Sequence, residues 1–198
     1  EDISTAIYLI DNNKFKLIKS FNWPNSLGHY YSAFTGFLGF RMLEGEYKMM
    51  GLAPYGKPKY KDIILKKILI KKNNGSYFLN TSILNYHMAL SGKFSKKLIK
   101  IFGQPRKPNE DFLDYHMDIA SSVQAAFEEI LLHLISWAHK KYPEYENLCL
   151  SGGCALNVTA NGKITDRSIF KSIFIPPGPH DGGCAIGSAF ISEQNNSV

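Results

Sequence analysis

The most constraining feature of this chain is a pair of glycine-rich turns in its C-terminal part. The first turn, Ser151-Gly152-Gly153, ends the short apolar run 147–150. The second, residues 178–183, follows the apolar run 170–175. Each run has the length and composition of a short buried strand, and each turn leads directly into a stretch of helical character. Repetition of strand, glycine turn and helix predicts an α/β fold in which the two runs are neighbouring parallel strands.

Helices are predicted after both turns, at 154–163 and 184–192. A longer helix is predicted at 118–139, where apolar residues recur at the spacing of one helical face. Near the N-terminus, the alternating runs 5–11 and 15–20 predict a hairpin closed by an Asn-Asn turn.

The two turns suit the binding of phosphate. Glycine lets a ligand approach the backbone closely, and the start of a helix presents free N–H groups and the positive end of its dipole. Ser151, Gly152 and Gly153 are therefore candidate nucleotide-binding residues. Each turn alone is equally consistent with a tight strand-to-helix connection, but two in tandem favour a nucleotide cleft. Neither turn has the Lys-Ser/Thr ending of a P-loop or the pattern of a dinucleotide fingerprint.

Four other side chains extend this candidate site. Asp181 lies inside the second turn, where a carboxylate would repel phosphate unless a cation lies between them. It is therefore a candidate metal ligand, with capping of the next helix as the alternative. Asn157 could contact a ribose or phosphate, or cap its own helix. Lys48, with Glu46 two residues before it, could face a phosphate, or could be an ordinary solvated lysine.

Composition narrows the class of protein. The 198 residues include 44% hydrophobic residues, enough for a core, and 23 Lys+Arg against 17 Asp+Glu, which favours anionic ligands. Three cysteines without a CxxC pair predict reduced thiols and a cytoplasmic location. The most apolar stretch, 119–138, carries Glu128, Glu129 and His133, so no membrane association is expected.

Residues 60–108 differ in character from the rest. They combine basic amphipathic pieces with a strand predicted at 76–79 after an Asn-Asn-Gly turn, and they carry no catalytic pattern. We interpret them as an inserted, peripheral subdomain between 1–59 and 109–198. Their lysine pairs are scattered along the sequence, which makes nucleic acid an unlikely partner.

Several segments, in order, resemble the O-carbamoyltransferase family that includes nodulation-factor, cephamycin and tobramycin carbamoyltransferases. They are Asn25-Ser26-Leu27-Gly28, the stretch 44–56 (EGEYKMMGLAPYG), Asp118-Ile119-Ala120 with Ser122 and Gln124, the stretch 150–157 (LSGGCALN), and Asp181-Gly182-Gly183 with Gly187-Ser188-Ala189. The matches run from about residue 25 to residue 189.

The resemblance implies an actin-like, RNase-H-like domain similar to the ATPase of tRNA threonylcarbamoylation. It implies that ATP and carbamoyl phosphate give carbamoyl adenylate in a second domain, and that the actin-like domain transfers the carbamoyl group to a hydroxyl of a small-molecule acceptor. It further implies a divalent metal, iron, held by two histidines of an HxxxH motif and an aspartate that corresponds to Asp181.

Two parts of the family pattern are not in this sequence. No HxxxH motif occurs among the six histidines, so we expect it upstream of Glu1, and we expect the second domain after Val198. The chain is therefore expected to be an internal fragment that is inactive alone. Two alternatives remain. The chain could belong to another actin-fold ATPase or kinase, or to a nucleotide-binding module related to tRNA modification.

Overall fold

The computed structural model describes residues 2–167 and 169–196. The chain divides into two compact units, Glu1–Lys141 and Tyr142–Val198, which are described separately.

The first unit opens with the predicted hairpin. Strand β1 (Ile3–Asp11) pairs antiparallel with β2 (Lys14–Asn22), and Asp11 faces Lys14 across the turn. Asn12 and Asn13 take φ values of 45° and 60°, the left-handed conformation that a two-residue turn of this kind requires and that asparagine tolerates well. The hairpin prediction is confirmed, with strands slightly longer than the sequence suggested.

Two short helical segments follow the hairpin. Helix α1 (Leu27–Phe37) is capped by Ser26, whose Oγ accepts the N–H of His29. Helix α2 (Glu46–Leu52) continues into a 3-10 turn at Ala53–Tyr55.

The segment 60–108 contains α3 (Lys61–Lys67), β3 (Leu69–Lys72), β4 (Ser76–Leu79), α4 (Tyr86–Ala89) and α5 (Lys96–Phe102). The predicted strand at 76–79 is confirmed, and it pairs antiparallel with β3. Phe102 packs edge-on against Phe34 of α1 at 5.4 Å between ring centroids, so this segment shares the core of the first unit. Its description as an insertion stays a prediction.

Helix α6 (Asp114–Lys141), with 28 residues, is the longest helix described in the first unit. It begins four residues before the predicted start, because the sequence Asp114-Tyr115-His116-Met117 does not carry the apolar stripe on which the prediction rested. The side chains of Ile119, Val123, Phe127 and Ile130 are at most 1% exposed. The stripe therefore faces the core as its spacing predicts.

The second unit contains β5 (Asn147–Cys149), a 3-10 turn at Gly153–Leu156, α7 (Val158–Asp166), β6 (Ser172–Phe174) and α8 (Gly183–Asn196). Strands β5 and β6 pair in parallel, with Leu148 opposite Ile173, which confirms the predicted neighbouring parallel strands. The single helix predicted at 154–163 is wrong. Asn157 (φ −77°, ψ 86°) leaves the helical conformation and separates the 3-10 turn from α7.

The described chain is therefore a mixed α/β structure with three two-stranded sheets. Within residues 2–167 and 169–196, no helix combines the length and the apolar character that crossing a bilayer requires. The actin-like arrangement of the elements stays a prediction.

Candidate nucleotide site

The stretch 44–56 ends in a close contact with helix α6. A β-carbon built on Gly56 would lie 2.1 Å from the carbonyl carbon and oxygen of Met117. Only glycine lets the two backbones approach this closely. Gly56 is thus required for packing, because its contact with Met117 fixes α2 and its 3-10 turn against helix α6.

Two polar side chains of α6 hold the residues that follow Gly56. The carboxylate of Asp118 accepts the N–H of Lys57 at 2.8 Å and pairs with the ammonium of Lys59 at 2.6 Å. The hydroxyl of Ser122 accepts the N–H of Tyr60 at 2.9 Å. The hydrogen bond from Lys59, with that from the Lys57 N–H, holds the pKa of Asp118 below its ordinary value although burial opposes the shift.

Glu46 lies in the first turn of α2, and its carboxylate is engaged within the protein. One oxygen, Oε1, accepts the hydroxyl of Ser32 at 2.5 Å and the N–H of Leu43 at 2.8 Å. These bonds tie α2 to α1 and to the loop before it. The predicted role of Glu46 in nucleotide binding stays a prediction, and the structure gives this side chain a positioning role.

Lys48, two residues further on, is in a different situation. Its side chain is exposed, and its ammonium lies 5.8 Å from the ring centroid of Tyr47. Among the residues that the structure describes, no carboxylate forms an ion pair with it. Its charge is available to an anionic ligand that approaches α2.

In the second unit, the two glycine-rich turns are joined by one carbonyl group. The oxygen of Pro179 accepts the N–H of Gly152 at 2.5 Å and the hydroxyl of Ser151 at 3.1 Å. Pro179 is itself buried. The first turn is therefore anchored on the second, and the N–H of Gly152 and the Ser151 hydroxyl are both engaged in that contact.

Gly153 differs from Gly152 in its N–H group, which does not bond to Pro179. The 3-10 turn starts at this residue, so its N–H has no carbonyl within the turn to accept it. No described heavy atom lies within 4 Å of a β-carbon built on Gly153. Gly152 before it has φ of 97° and holds the backbone in a conformation that side chains disfavour. The turn thus presents a bare, outward-facing backbone.

Asn157 caps the helix that follows. Its Oδ1 accepts the N–H of Ala160 at 3.0 Å, and the residue is 8% exposed. One helical turn later, the amide of Asn161 donates to the carbonyl of Ala155 at 2.7 Å. The capping alternative is therefore seen for Asn157, and its predicted contact with a nucleotide stays a prediction.

Asp181 lies exposed in the second turn, two residues after Pro179. Over the described ranges, its carboxylate takes part in no hydrogen bond or ion pair, and the same ranges hold no group of three His, Cys, Asp or Glu placed to share a metal. Nearby, the N–H of Gly182 donates to Nδ1 of His180 at 3.1 Å. The Asp181 carboxylate is free to accept a cation, and the other ligands would have to come from outside these residues.

The cysteine beside this turn has no catalytic character. Burial raises the pKa of the Cys154 thiol to about 11, so the thiol stays protonated near neutral pH. All three cysteines are free thiols, as their spacing predicts.

Comparison with known proteins places the sequence in a family. The sequence matches the family described as "Carbamoyltransferase N-terminus" over residues 2–190. The chain belongs to this carbamoyltransferase family. The resemblance found in the motifs is thereby confirmed.

Relatives agree with the family match. This carbamoyltransferase segment is 42% identical over 187 residues to the uncharacterized protein sll1178 of a Synechocystis strain, which covers 94% of the chain and 30% of that protein. It is 35% identical over 173 residues to nodulation protein NolO of Bradyrhizobium diazoefficiens (87% and 29%). It is 34% identical over 176 residues to nodulation protein NolNO of Sinorhizobium fredii (89% and 24%). The chain thus spans about a quarter to a third of these relatives.

The structure of the carbamoyltransferase segment adds residues that the sequence analysis did not single out. Gly56 was included only as part of a motif, and its contact with α6 depends on a long-range approach that no local pattern shows. The carbonyl of Pro179 was not considered, because main-chain acceptors carry no sequence signal. Ser32, which binds Glu46, lies fourteen residues away on another helix.

Proposed function

We propose that this chain supplies the nucleotide-facing part of an ATP-dependent O-carbamoyltransferase. The observation that carries the proposal is the joining of the two glycine-rich turns through the Pro179 carbonyl, in a chain of the carbamoyltransferase family. It draws one bare backbone turn and one free carboxylate together in the second unit. Phosphate and its counter-cation need this pairing of groups.

In this proposal the phosphate approaches the backbone at Gly153. The open space around that residue admits an oxyanion, and the unpaired N–H at the start of the 3-10 turn can donate to it. Gly152 and Ser151 act indirectly, since their bonds to Pro179 fix the conformation of the turn. Lys48 and Glu46, in α2 of the first unit, are proposed as nucleotide-binding residues on the resemblance of their motif alone.

The reaction proposed for the whole protein is transfer of a carbamoyl group from carbamoyl adenylate, made from carbamoyl phosphate and ATP, to a hydroxyl of a small-molecule acceptor. The hydroxyl oxygen bonds to the carbamoyl carbon, the bond from that carbon to the AMP phosphate oxygen breaks, and the hydroxyl loses its proton. The actin-like fold belongs to the same proposal, and it is supported by the parallel pair β5–β6 and the glycine turn after each strand.

Asp181 fits the proposed divalent metal as one ligand. Its carboxylate is exposed and has no partner over the described ranges, and oxygen of this kind binds divalent cations. A bound metal would supply charge stabilisation to phosphate or carbamoyl oxygens. The contribution of this chain is to hold the carboxylate at the second turn, whose position is set by the bonds to Pro179.

The test uses the full-length protein with ATP as the probe. Gly153→Val should lower ATP affinity at least about tenfold, because a branched side chain would occupy the space that phosphate needs. Gly162→Val is the matched control, since Gly162 also has open space around its β-carbon position but lies inside α7. Calorimetry measures the affinity, and carbamoyl transfer to an acceptor measures activity. Unchanged ATP binding by Gly153→Val would contradict the proposed site.

A further inference from the structure

A cavity in the first unit is lined by the loop after α1, by α2 and by the loop before α6. We call it the loop cavity and define it by its cationic and aromatic lining residues, Phe40, Arg41, Lys48, Arg106 and Phe112. Its volume is about 510 Å³, which suits a small molecule. All of these residues belong to the first unit, so the loop cavity is built without any residue of the glycine-rich turns.

Arg106 joins the two loops of this cavity. Its backbone N–H donates to the carbonyl of Phe37 at 3.0 Å, and its Nε donates to the carbonyl of Leu38 at 2.7 Å. Its Nη1 donates to the carbonyls of Pro108 and Glu110. These bonds fix the guanidinium group before any ligand arrives, which lowers the entropic cost of binding.

The guanidinium of Arg106 is buried, but its charge is not paired. The residue is 6% exposed, and over residues 2–167 and 169–196 no carboxylate forms an ion pair with it. The carboxylate of Glu110 instead accepts the N–H of Lys107 at 2.9 Å. Burial lowers the pKa of Arg106, and the charge of Glu110 opposes this shift without reversing it. A buried charge without a counter-ion is costly, so an anion bound here would be stabilised.

One nitrogen of the guanidinium, Nη2, is left for a ligand. Nη2 donates to no group in the described ranges, and it keeps a solvent-accessible surface. A β-carbon built on Gly39, which has φ of 76°, would lie 3.1 Å from Nη2 and 2.6 Å from the carbonyl oxygen of Arg106. Glycine at position 39 thus keeps the space beside Nη2 free, and Arg106 presents one unpaired donor to the loop cavity.

Two aromatic rings hold the plane of the guanidinium. Its Cζ lies 3.9 Å from the ring centroid of Phe112 and 5.5 Å from that of Phe40. The two rings are themselves 5.4 Å apart. Because stacking uses the face of a guanidinium, its N–H groups remain directed outward in the plane, which is the geometry that binds carboxylate and phosphate.

The other charged residues of the lining give it a positive balance. Lys48 is exposed and forms no ion pair within the described ranges, and Arg41 pairs with the exposed Glu44 at 3.0 Å. Glu110 and Asp111 also line the cavity, so three cationic side chains stand against two carboxylates. This balance favours an anionic ligand over a cationic one.

We infer that the loop cavity binds the oxyanion group of a small molecule, a carboxylate or a phosphate, with Nη2 of Arg106 as the donor and Lys48 as a second cation. A purely structural role for Arg106 is met by its bonds to carbonyl groups and leaves Nη2 unexplained. This inference is independent of the nucleotide site proposed at Gly153, because it uses residues of the first unit alone and its test needs no ATP.

The test titrates the full-length protein with inorganic phosphate and, separately, with acetate, using calorimetry at low ionic strength. Lys48→Gln should weaken binding of the preferred anion about threefold, since it removes one exposed charge. Lys66→Gln is the matched control, because Lys66 is an exposed lysine on another short helix, α3, outside the cavity lining. Arg106→Lys should weaken binding at least about tenfold, because lysine lacks the planar set of donors.

The thermal midpoint of each variant is measured in parallel. If Arg106→Lys does not fold, the comparison of Lys48→Gln with Lys66→Gln decides the matter alone. Binding of either anion that Lys48→Gln weakens and Lys66→Gln does not supports the inference, and the anion bound more tightly identifies the ligand as a phosphate or a carboxylate. No binding of either anion, equal affinities of the two lysine variants, or wild-type affinity in a folded Arg106→Lys variant would overturn it.

Discussion

The polar motif residues are used differently in the two units. In the first unit they form hydrogen bonds within the protein: Asp118 and Ser122 accept backbone N–H groups after Gly56, and Glu46 accepts the hydroxyl of Ser32. In the second unit, Asp181 is exposed without a described partner. Gly153 there faces open space.

The family motifs therefore have different roles in the two units. The motif residues of the first unit mainly hold its helices and loops together. A motif in the second unit is mainly a surface that ligands can reach. Substitution of the first-unit motif residues that bind or pack within the fold should therefore lower stability, and substitution of the exposed motif residues of the second unit should lower function.

The largest expected effect on stability is that of Gly56→Ala. The new methyl group would overlap the backbone of Met117, so α2 and its 3-10 turn would have to move away from α6. We expect a loss of about 3 kcal/mol in the free energy of unfolding. Both tryptophans, Trp23 and Trp137, lie in the first unit, so denaturant unfolding followed by tryptophan fluorescence reports on that unit. Gly51→Ala in the same stretch is the control and should not destabilise.

Asp118→Ala should have the next largest effect. It removes the acceptor of the Lys57 N–H and the partner of the Lys59 ammonium, at a residue that is 5% exposed. We expect a loss of about 2 kcal/mol at pH 7, measured by the same unfolding experiment. Asp118→Asn keeps an oxygen acceptor and should lose less. Equal stability of the alanine variant and the wild type would contradict the structural role.

The same residue predicts a pH dependence. Because the folded state lowers the pKa of Asp118, its contribution to stability is present above the ordinary aspartate value of 3.8 and is lost as pH falls through the lower, folded value. The stability difference between wild type and Asp118→Ala should therefore be constant from pH 7 to pH 5 and shrink in more acidic solution. A difference that grows on acidification would have the wrong sign.

A smaller effect is expected for Ser122→Ala. Its hydroxyl accepts the N–H of Tyr60 and donates to the carbonyl of Asp118, and both partners are main-chain groups. Losing this link should reduce the unfolding free energy by about 1 kcal/mol. Ser122→Thr retains the hydroxyl but adds a methyl group at a fully buried position. Urea unfolding of both variants shows whether loss of the hydrogen bond or crowding by the methyl group lowers the unfolding free energy more.

The sequence predicted the local elements well where one rule decides them. The Asn12-Asn13 hairpin and the parallel strands formed by the two apolar runs follow from turn chemistry and patterning. The helix at 154–163 was wrong because Asn157 can either continue a helix or cap a new one, and its side-chain bond to Ala160 decided for the cap.

The site was harder to predict than the elements. Glycine patterns singled out the two turns that the Pro179 carbonyl joins, but pattern alone cannot show that the N–H of Gly152 binds Pro179 while the N–H of Gly153 does not. Likewise, Gly51 and Gly56 are indistinguishable in sequence, although one faces open space and the other touches α6. These distinctions depend on contacts between distant parts of the chain.

The most direct test of the account is Asp181→Ala in the full-length protein, with three readouts. We predict that the thermal midpoint is unchanged, since the carboxylate has no described partner, that bound metal is lost, and that carbamoyl transfer to the acceptor falls below detection. Formation of carbamoyl adenylate, measured as the release of pyrophosphate from ATP, should continue. Retained metal with normal carbamoyl transfer would contradict the account.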